Sequence, residues 1–582
     1  MIFQANHQPP LSGSSKACNM TTKKNPTQAK LTKLLELYQR QKYDKAEKLA
    51  TLITQEFPDH PFAWKILGLA FKAIGKKSEA LIANFRAVKL SPQDPAVHNN
   101  LGNILQELGR LTEAETHLRQ AIDLKSDFAE AHNNLGSILR ELNRLDEAEA
   151  SFRKAINLKA EYFEAYFSLG LTLYTLGRLE EASICYNQVI DLKSDFAEAH
   201  LYHGIILKEL GRLEEAEASL RKAISLKNNL PSAYNNLGMI LQEYSRLREA
   251  EASYRFAITL KDDYAEAHNN LGNILKELGM LDEAEVSFKN SIGFKPGYAQ
   301  AHQNLGIMLL GLGKFDEAAS HLKESGTVIS NAYLLRCYYR LDQKSNFKSQ
   351  LNKILNQGHN NALIGSLISQ SNIRFGIDQN NPFCEKPLQY VREINLLNKY
   401  DFKGIFIKGV EEILKDKKVQ YRKQDLLSNG MQTAGNIFTQ SIEATNMIQK
   451  IIFQELDSYR AEFQDSTDGF ISSWPNKYDL NGWLVSMKSG GKLDPHMHER
   501  GWISGSIYIN VPPKSKPHSG NLVVGLDDAK NRFGKESYIK SIDVVTGSLC
   551  LFPSSLHHYT IPFESSEDRI VLAFDIIPRN KT

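Results

Sequence analysis

The stretch DPHMHERGWISGSIYIN, residues 494–510, decides how the C-terminal part of this chain is read. His496 and His498 stand two apart, and residues two apart on a β-strand point to the same face, so both imidazoles can reach one site. On a helix the same pair would diverge. The WISGSIYIN that follows is rich in Ile, Trp and Tyr, which favours a strand. Two features downstream belong with the pair. His557 and His558 follow the hydrophobic run SLCLFP, and Arg569 opens a final apolar strand, RIVLAFDII.

That order, His-x-His, a second histidine sixty residues on and an arginine eleven residues later, resembles the iron(II)- and 2-oxoglutarate-dependent oxygenases. The likeness is to a small bacterial group appended to tetratricopeptide arrays. PHMHERGWISGSIYINVP, the glycine of SGNLVV, GSLCLFPSSLHHYTIPF and DRIVLAFDIIP carry the resemblance, with SNGMQTAGNIF (428–438) and NGWLVSMKSGG (481–491) upstream. It covers residues 383–582. It implies a double-stranded β-helix (jelly roll) with iron(II) at the mouth of the barrel and 2-oxoglutarate as co-substrate. The reaction implied is oxidative decarboxylation of 2-oxoglutarate to succinate and CO₂, coupled to hydroxylation of a C–H bond.

The resemblance also implies a site. His496 and His558 match the family's two metal-binding histidines. Adjacent strand residues face opposite ways, so His557 is expected at the surface or behind the ligands. The broader superfamily carries Asp or Glu where this chain has His498. Three readings stay open: His498 ligates and makes a three-histidine site, Asp494 or Glu499 supplies the missing carboxylate, or the site is silent. Arg569 is expected to hold the distal carboxylate of 2-oxoglutarate through two parallel hydrogen bonds, which Lys cannot reproduce. Tyr508 and Ser504, on the strand after the histidine pair, are candidates for the same pocket.

Upstream, the chain repeats itself every 34 residues from Thr27 to Gly326, the tetratricopeptide spacing. Gly68, Gly102, Gly136 and their successors hold one recurring position, and Ala46, Ala80, Ala114 and theirs another, where small residues let two helices approach. Leu101, Leu135, Leu169, Leu237, Leu271 and Leu305 supply the apolar stripe each unit buries against its neighbours. The expected fold is an α-solenoid, a right-handed superhelix with a concave groove.

Resemblance to tetratricopeptide proteins places helix A on the concave side. One of its positions reads Asn100, Asn134, Ser168, Tyr202, Asn236, Asn270, Asn304. Asn donates and accepts at once, so such a row can grip the backbone of an extended peptide. The ladder is similar to that of the protein O-GlcNAc transferase superhelix. The row can equally be filler from repeat duplication, and Ser168 and Tyr202 interrupt it. His98, His132, His200, His268 and His302 recur at another helix A position. Repeats stack roughly 10 Å apart, too far for a shared metal bonded at ~2 Å, so these are expected to pack rather than ligate.

The remaining divisions follow from texture. Residues 1–26 read as a disordered tail, with Met20 an alternative start. Residues 27–326 form the superhelix, 327–382 a degenerate helical cap, and 383–582 the oxygenase-like domain. The last turns from helices to short strands after Phe470.

A net charge of +3 gives no electrostatic case for nucleic acid or membrane as partner. Five scattered cysteines without a CxxC pair suit a reducing cytoplasm. Two functions remain. One is an oxygenase acting on a protein or peptide recruited by the groove. The other is a non-catalytic scaffold with a degenerate β domain. A sugar-nucleotide transferase fails on length, since the residues after Gly326 are too few for two nucleotide-sugar domains.

Overall fold

A computed structural model describes residues 25–415, 419, 421–422, 424, 426–439, 443–527 and 538–579; residues 1–24 of the expected tail lie outside these. The chain divides into two compact units, 1–274 and 275–582.

In the first unit helices of 13 and 14 residues alternate, as in Pro95–Glu107 and Leu111–Leu124, then Ala129–Glu141 and Leu145–Leu158. Each turn from the first helix to the second needs one residue in the left-handed region. Gly75, Gly109, Gly177 and Gly211 take it, and Asn143 and Ser245 serve in two repeats. The recurring helical glycine is a contact point: a Cβ at Gly102 would lie 2.7 Å from Leu118, and one at Gly136 2.8 Å from the Phe152 ring.

Consecutive repeats are also tied on the polar side, Arg144 to Glu115 at 2.8 Å, Arg178 to Glu149 at 2.7 Å, and Arg246 to Glu217 at 2.9 Å. One junction between consecutive repeats departs from the pattern. Ser183 stands in the Glu position and His203 in the core Leu position, and the two side chains are hydrogen-bonded at 3.1 Å.

The histidine column is a set of tethers. In His98, His132, His200, His268 and His302, Nε2 lies 2.9–3.1 Å from the carbonyl oxygen six residues upstream. An imidazole N–H donating there satisfies a carbonyl in the turn that precedes its helix, which accounts for the recurring histidine without any metal.

The second unit opens with helices Leu281–Phe294, Ala299–Gly311 and Phe315–Ser325. Three more follow, Val328–Arg340, Lys344–Asn356 and Ala362–Phe375, each burying one apolar face in a common core around Leu335, Leu351 and Leu367.

Among the described residues, ten strands then build a nearly barrel-shaped antiparallel sheet of jelly-roll type: β1 (Arg392–Asn395), β2 (Tyr421–Arg422), β3 (Leu427–Thr433), β4 (Tyr478–His496), β5 (Ile503–Asn510), β6 (Leu522–Gly525), β7 (Ile539–Ile542), β8 (Ser548–Pro553), β9 (His557–Thr560) and β10 (Arg569–Pro578). The order is β1-β8-β5-β10-β4-β9-β6-β7, with β3 paired to β4 and β2 to β3. β4 serves both halves. Its residues 478–487 pair with β10, and after the bend at Gly490 and Gly491 its end pairs with β9.

Strand alternation sorts the side chains into two cores. Leu484, Ile503, Ile507, Leu572 and Phe574 face outward, against helix Glu443–Glu462 through Ile448, Ile452 and Leu456. Val485, Met487, Tyr508, Phe552 and Val571 face the interior.

Candidate metal centre

The interior face of the sheet carries the functional side chains. β10 alternates, so Arg569, Val571, Ala573 and Asp575 share the inner side, with Leu572, Phe574 and Ile576 on the other. On β5 the inner residues are Ser504, Ser506 and Tyr508. His496 is the last residue of β4 and pairs with His558 of β9.

His498 lies beyond the strand, in the loop that leads to β5, which differs from the strand position expected for it. The loop nevertheless returns its ring to the site. The rings of His496 and His558 are 4.2 Å apart between centroids, His498 and His558 4.8 Å, and His496 and His498 5.1 Å. One nitrogen from each of the three lies within 4.8 Å of the others.

The rings are oriented from behind. His496 Nδ1 lies 2.9 Å from the Asp494 carbonyl oxygen, and His498 Nδ1 lies 2.7 Å from Asp575 Oδ1. In each case the acceptor requires the proton on Nδ1 and leaves the lone pair on Nε2, the tautomer a metal ligand needs. His558 Nδ1 is buried without a hydrogen-bond partner. Burial first, and then the neighbouring His498, pushes the His496 imidazole down to about 4. Burial and the other two histidines push His558 well below the usual range. Both rings are therefore neutral at neutral pH, as coordination demands.

Neither carboxylate considered as a substitute ligand turns toward the rings. Asp494 is paired with Lys492 at 3.0 Å, and Glu499 is bonded to Tyr333 and Arg336. His557, expected at the surface or behind the ligands, is 6 % exposed, so a surface position is ruled out.

Arg569 is 1 % exposed, the largest fully buried side chain among the described residues. Its guanidinium lies 5.0 Å from the Tyr508 ring centroid, and Nη1 donates to the Gly520 carbonyl. Among the described residues, its Nε and Nη2 have no hydrogen-bond partner. Burial lowers its pKa from the ordinary value, yet a guanidinium stays charged. A buried cation with two unused donors calls for an anion with two oxygens. Tyr508 lines a narrow chamber that also holds His496, His498 and His558. Ser504, grouped with Arg569 in the sequence reading, has other partners: its hydroxyl is 2.7 Å from Asp575 Oδ1, 2.8 Å from Ser554 Oγ and 3.2 Å from His498 Nδ1.

In front of the histidines is an open cavity of about 590 Å³, with Tyr333, Gln424, Asn481, Trp483, Arg500 and Asp575 in its wall. Sequence reasoning missed Asp575 and Tyr333. Asp575 was within reach, since a carboxylate in the apolar RIVLAFDII, six residues from Arg569, must share its face. Tyr333 carries no such signal, because only the packing of its helix brings it to the site.

The asparagine row is partly used within the repeats. Asn134 Nδ2 donates to Asn99 of the preceding repeat at 2.9 Å, and Asn270 Nδ2 to Asn235 at 3.1 Å. Asn236 accepts from Lys208 at 2.8 Å, and in the second unit Asn304 accepts from Gln300 at 3.0 Å. Asn100 stands half-buried at the same repeat position. Among the described residues, no helix is long and apolar enough to cross a membrane.

Comparison with known proteins assigns different families to different parts of the chain. Residues 481–575 match the family described as "Putative 2OG-Fe(II) oxygenase", a span containing His496, His498, His558, Arg569 and Asp575. Tetratricopeptide repeat families match residues 31–95, 93–161, 127–195, 204–243, 265–298 and 299–324. No curated protein matches the chain.

Among solved structures, the chain is similar to YrrB, titled a TPR protein with an unusual peptide-binding site, at 21% identity and a TM-score of 0.29, over 34% of this chain and 97% of that one. It is also similar to MamA, at 28% identity and a TM-score of 0.25, over 27% of this chain and 92% of that one. The chain is thus a tetratricopeptide repeat protein that carries, at its C-terminal end, a domain of the family described as "Putative 2OG-Fe(II) oxygenase".

Proposed function

We propose that the C-terminal domain is an iron(II)- and 2-oxoglutarate-dependent hydroxylase, and that it acts on a protein or peptide recruited by the repeats. The working divisions are 27–326 for recruitment, 327–382 for the cap and 383–582 for catalysis. One observation carries this reading: three histidines converge on one interior chamber that Tyr508 also lines, and the buried Arg569 guanidinium, with Nε and Nη2 unused among the described residues, lies 5.0 Å from the Tyr508 ring centroid.

In this reading His496, His498 and His558 hold the metal, Nε2 of the first two facing it. Arg569 takes the distal carboxylate of 2-oxoglutarate, and Tyr508 shapes the pocket beneath it. Bound iron(II) and 2-oxoglutarate would together supply O₂ activation, with succinate and CO₂ released. The narrow interior keeps bulk water from the co-substrate, and the open cavity beyond His498 admits a side chain of the target. A linked recruiting surface raises the effective concentration of that target without any new contact at the site. Asn100, Asn134, Asn236, Asn270 and Asn304 are proposed to line the surface that recruits the target.

The test is anaerobic titration with iron(II) and 2-oxoglutarate, separately and together, followed by succinate release in air. His496→Ala and His558→Ala are each expected to abolish iron binding and succinate formation while the helical signal persists. Undiminished succinate from either variant would refute the assignment. Iron binding by the natural chain without succinate formation would favour the scaffold reading instead.

A further inference from the structure

Helix Val328–Arg340 reaches into the metal centre. Its Tyr333 hydroxyl donates to Glu499 Oε2 at 2.5 Å, and its Arg336 guanidinium is bonded to Glu499 Oε1. Glu499 directly follows His498. Met497, between the two histidines, packs against the sheet core and also against the helical core that holds Leu335, Leu363 and Ile364. The residues thus alternate in partner: 496 and 498 serve the site, while 497 and 499 are held by the helices.

This matters because the loop has little else to fix it. β4 ends at His496 and β5 begins at Ile503, so residues 497–502 have no strand partner. Among the described residues their backbone ties are a turn, Gly501 N to His498 O at 3.0 Å, and two bonds at Trp502, its N to Ile576 O at 2.8 Å and its O from Ser554 N at 3.2 Å. Asp575 holds the His498 ring at Nδ1, and the backbone that carries the ring depends on what grips its neighbours. The Arg336–Glu499 pair is only partly exposed, 27% and 24% by side chain, so solvent screens it less than an open surface pair.

We propose that Arg336 and Tyr333 are positioning residues for the metal: by gripping Glu499 they aim the His498 ring, so the helices after the repeats form a working part of the site. The inference rests on the metal-binding reading above. A ligand must be held within about 0.5 Å of its productive place to bind fully. Loss of a supporting partner at a metal site typically lowers affinity about 10–100-fold.

Cobalt(II) added to the full chain, followed by its visible absorption, tests this without turnover. Arg336→Ala and Glu499→Gln are expected to weaken cobalt binding about 10-fold or more and to alter the band shape. The double variant should be no worse than the poorer single one, because both break the same grip. Arg336→Lys should recover part of the loss. Tyr333→Phe, which removes a single hydroxyl and is the mildest change, should weaken binding in the same direction.

Cobalt affinity and spectrum equal to those of the natural chain in Arg336→Ala and Glu499→Gln, with only thermal stability lowered, would overturn the proposal and leave the pair a docking contact. If Arg336→Ala fails to fold, unchanged cobalt binding in Tyr333→Phe overturns it equally. A natural chain that binds no cobalt would refute the metal reading, and this inference with it. Binding by the natural chain together with unaffected variants refutes the inference alone.

Discussion

His498 Nδ1 lies 2.7 Å from Asp575 Oδ1, a histidine–carboxylate pair that joins the loop after β4 to the inner face of β10. Asp575 is 6 % exposed and also accepts from the Ser504 hydroxyl at 2.7 Å, so its charge has few other partners. If His498 ligates the metal as proposed, Asp575 is the carboxylate that stands behind it.

Asp575→Asn keeps an acceptor for the His498 N–H but removes the charge. Iron(II) or cobalt(II) affinity is expected to fall about 10–100-fold, the usual effect of losing a partner behind a metal-bound histidine. Asp575→Ala should fall further, since the ring then loses its orientation as well. Metal titration monitored by calorimetry reads both, and unchanged affinity in Asp575→Ala would remove His498 from the ligand set.

Arg569→Ala tests the co-substrate independently of the metal. Each charge-assisted hydrogen bond in a dry site is worth about 1.5–3 kcal/mol, so 2-oxoglutarate affinity should drop at least ~10-fold and up to ~100-fold. Metal affinity in the absence of 2-oxoglutarate should hold. Arg569→Lys should recover only part, because an ammonium cannot form the planar fork. In the natural chain, 2-oxoglutarate with metal should raise the unfolding temperature, since it binds only the folded state. Dependence on 2-oxoglutarate unaltered in Arg569→Ala would exclude this anchor.

His203 predicts a pH effect remote from the metal. Burial, then the positive Arg212 and His200, push its imidazole down to about 4, against about 6.5 in an unfolded chain. Between those values the unfolded state binds the extra proton, so stability rises with pH through this window. The contribution is complete above about pH 6.5 and is lost as pH falls toward 4. His203→Leu restores the residue that neighbouring repeats carry and removes this titration. Its urea midpoint, read by helix signal, should shift less between pH 7 and pH 5 than that of the natural chain. An equal shift in both would show that the histidine does not titrate on unfolding.

Much of the chain was legible in one dimension. The 34-residue period gave the helices and their glycine contacts, because Gly102 and Gly136 stand where a Cβ would strike Leu118 and Phe152, and local geometry repeats wherever sequence does. His496, His558 and Arg569 could be named because their order resembles that of the iron(II)- and 2-oxoglutarate-dependent oxygenases, and strand parity added that only one of His557 and His558 faces inward. Ser504 is expected beside Arg569 from its place on the strand after the histidine pair, and strand alternation does put it on the inner face. Alternation could not say which neighbour the hydroxyl meets, and the hydroxyl is bonded toward His498 and Asp575.

The sequence by itself determined the repeat array, the strand texture and the residues able to bind metal and carboxylate, since periodicity and side-chain chemistry are properties of the chain read in order. Only the tertiary structure decided that Glu499 turns to Tyr333 and Arg336, that Asp575 stands behind His498, and that Arg569 is buried with two donors unused. These contacts join residues 49 to 166 positions apart. Over such separations no local preference acts, and the partner of a buried polar group is set by which surfaces pack together and which hydrogen bonds that packing leaves to be made.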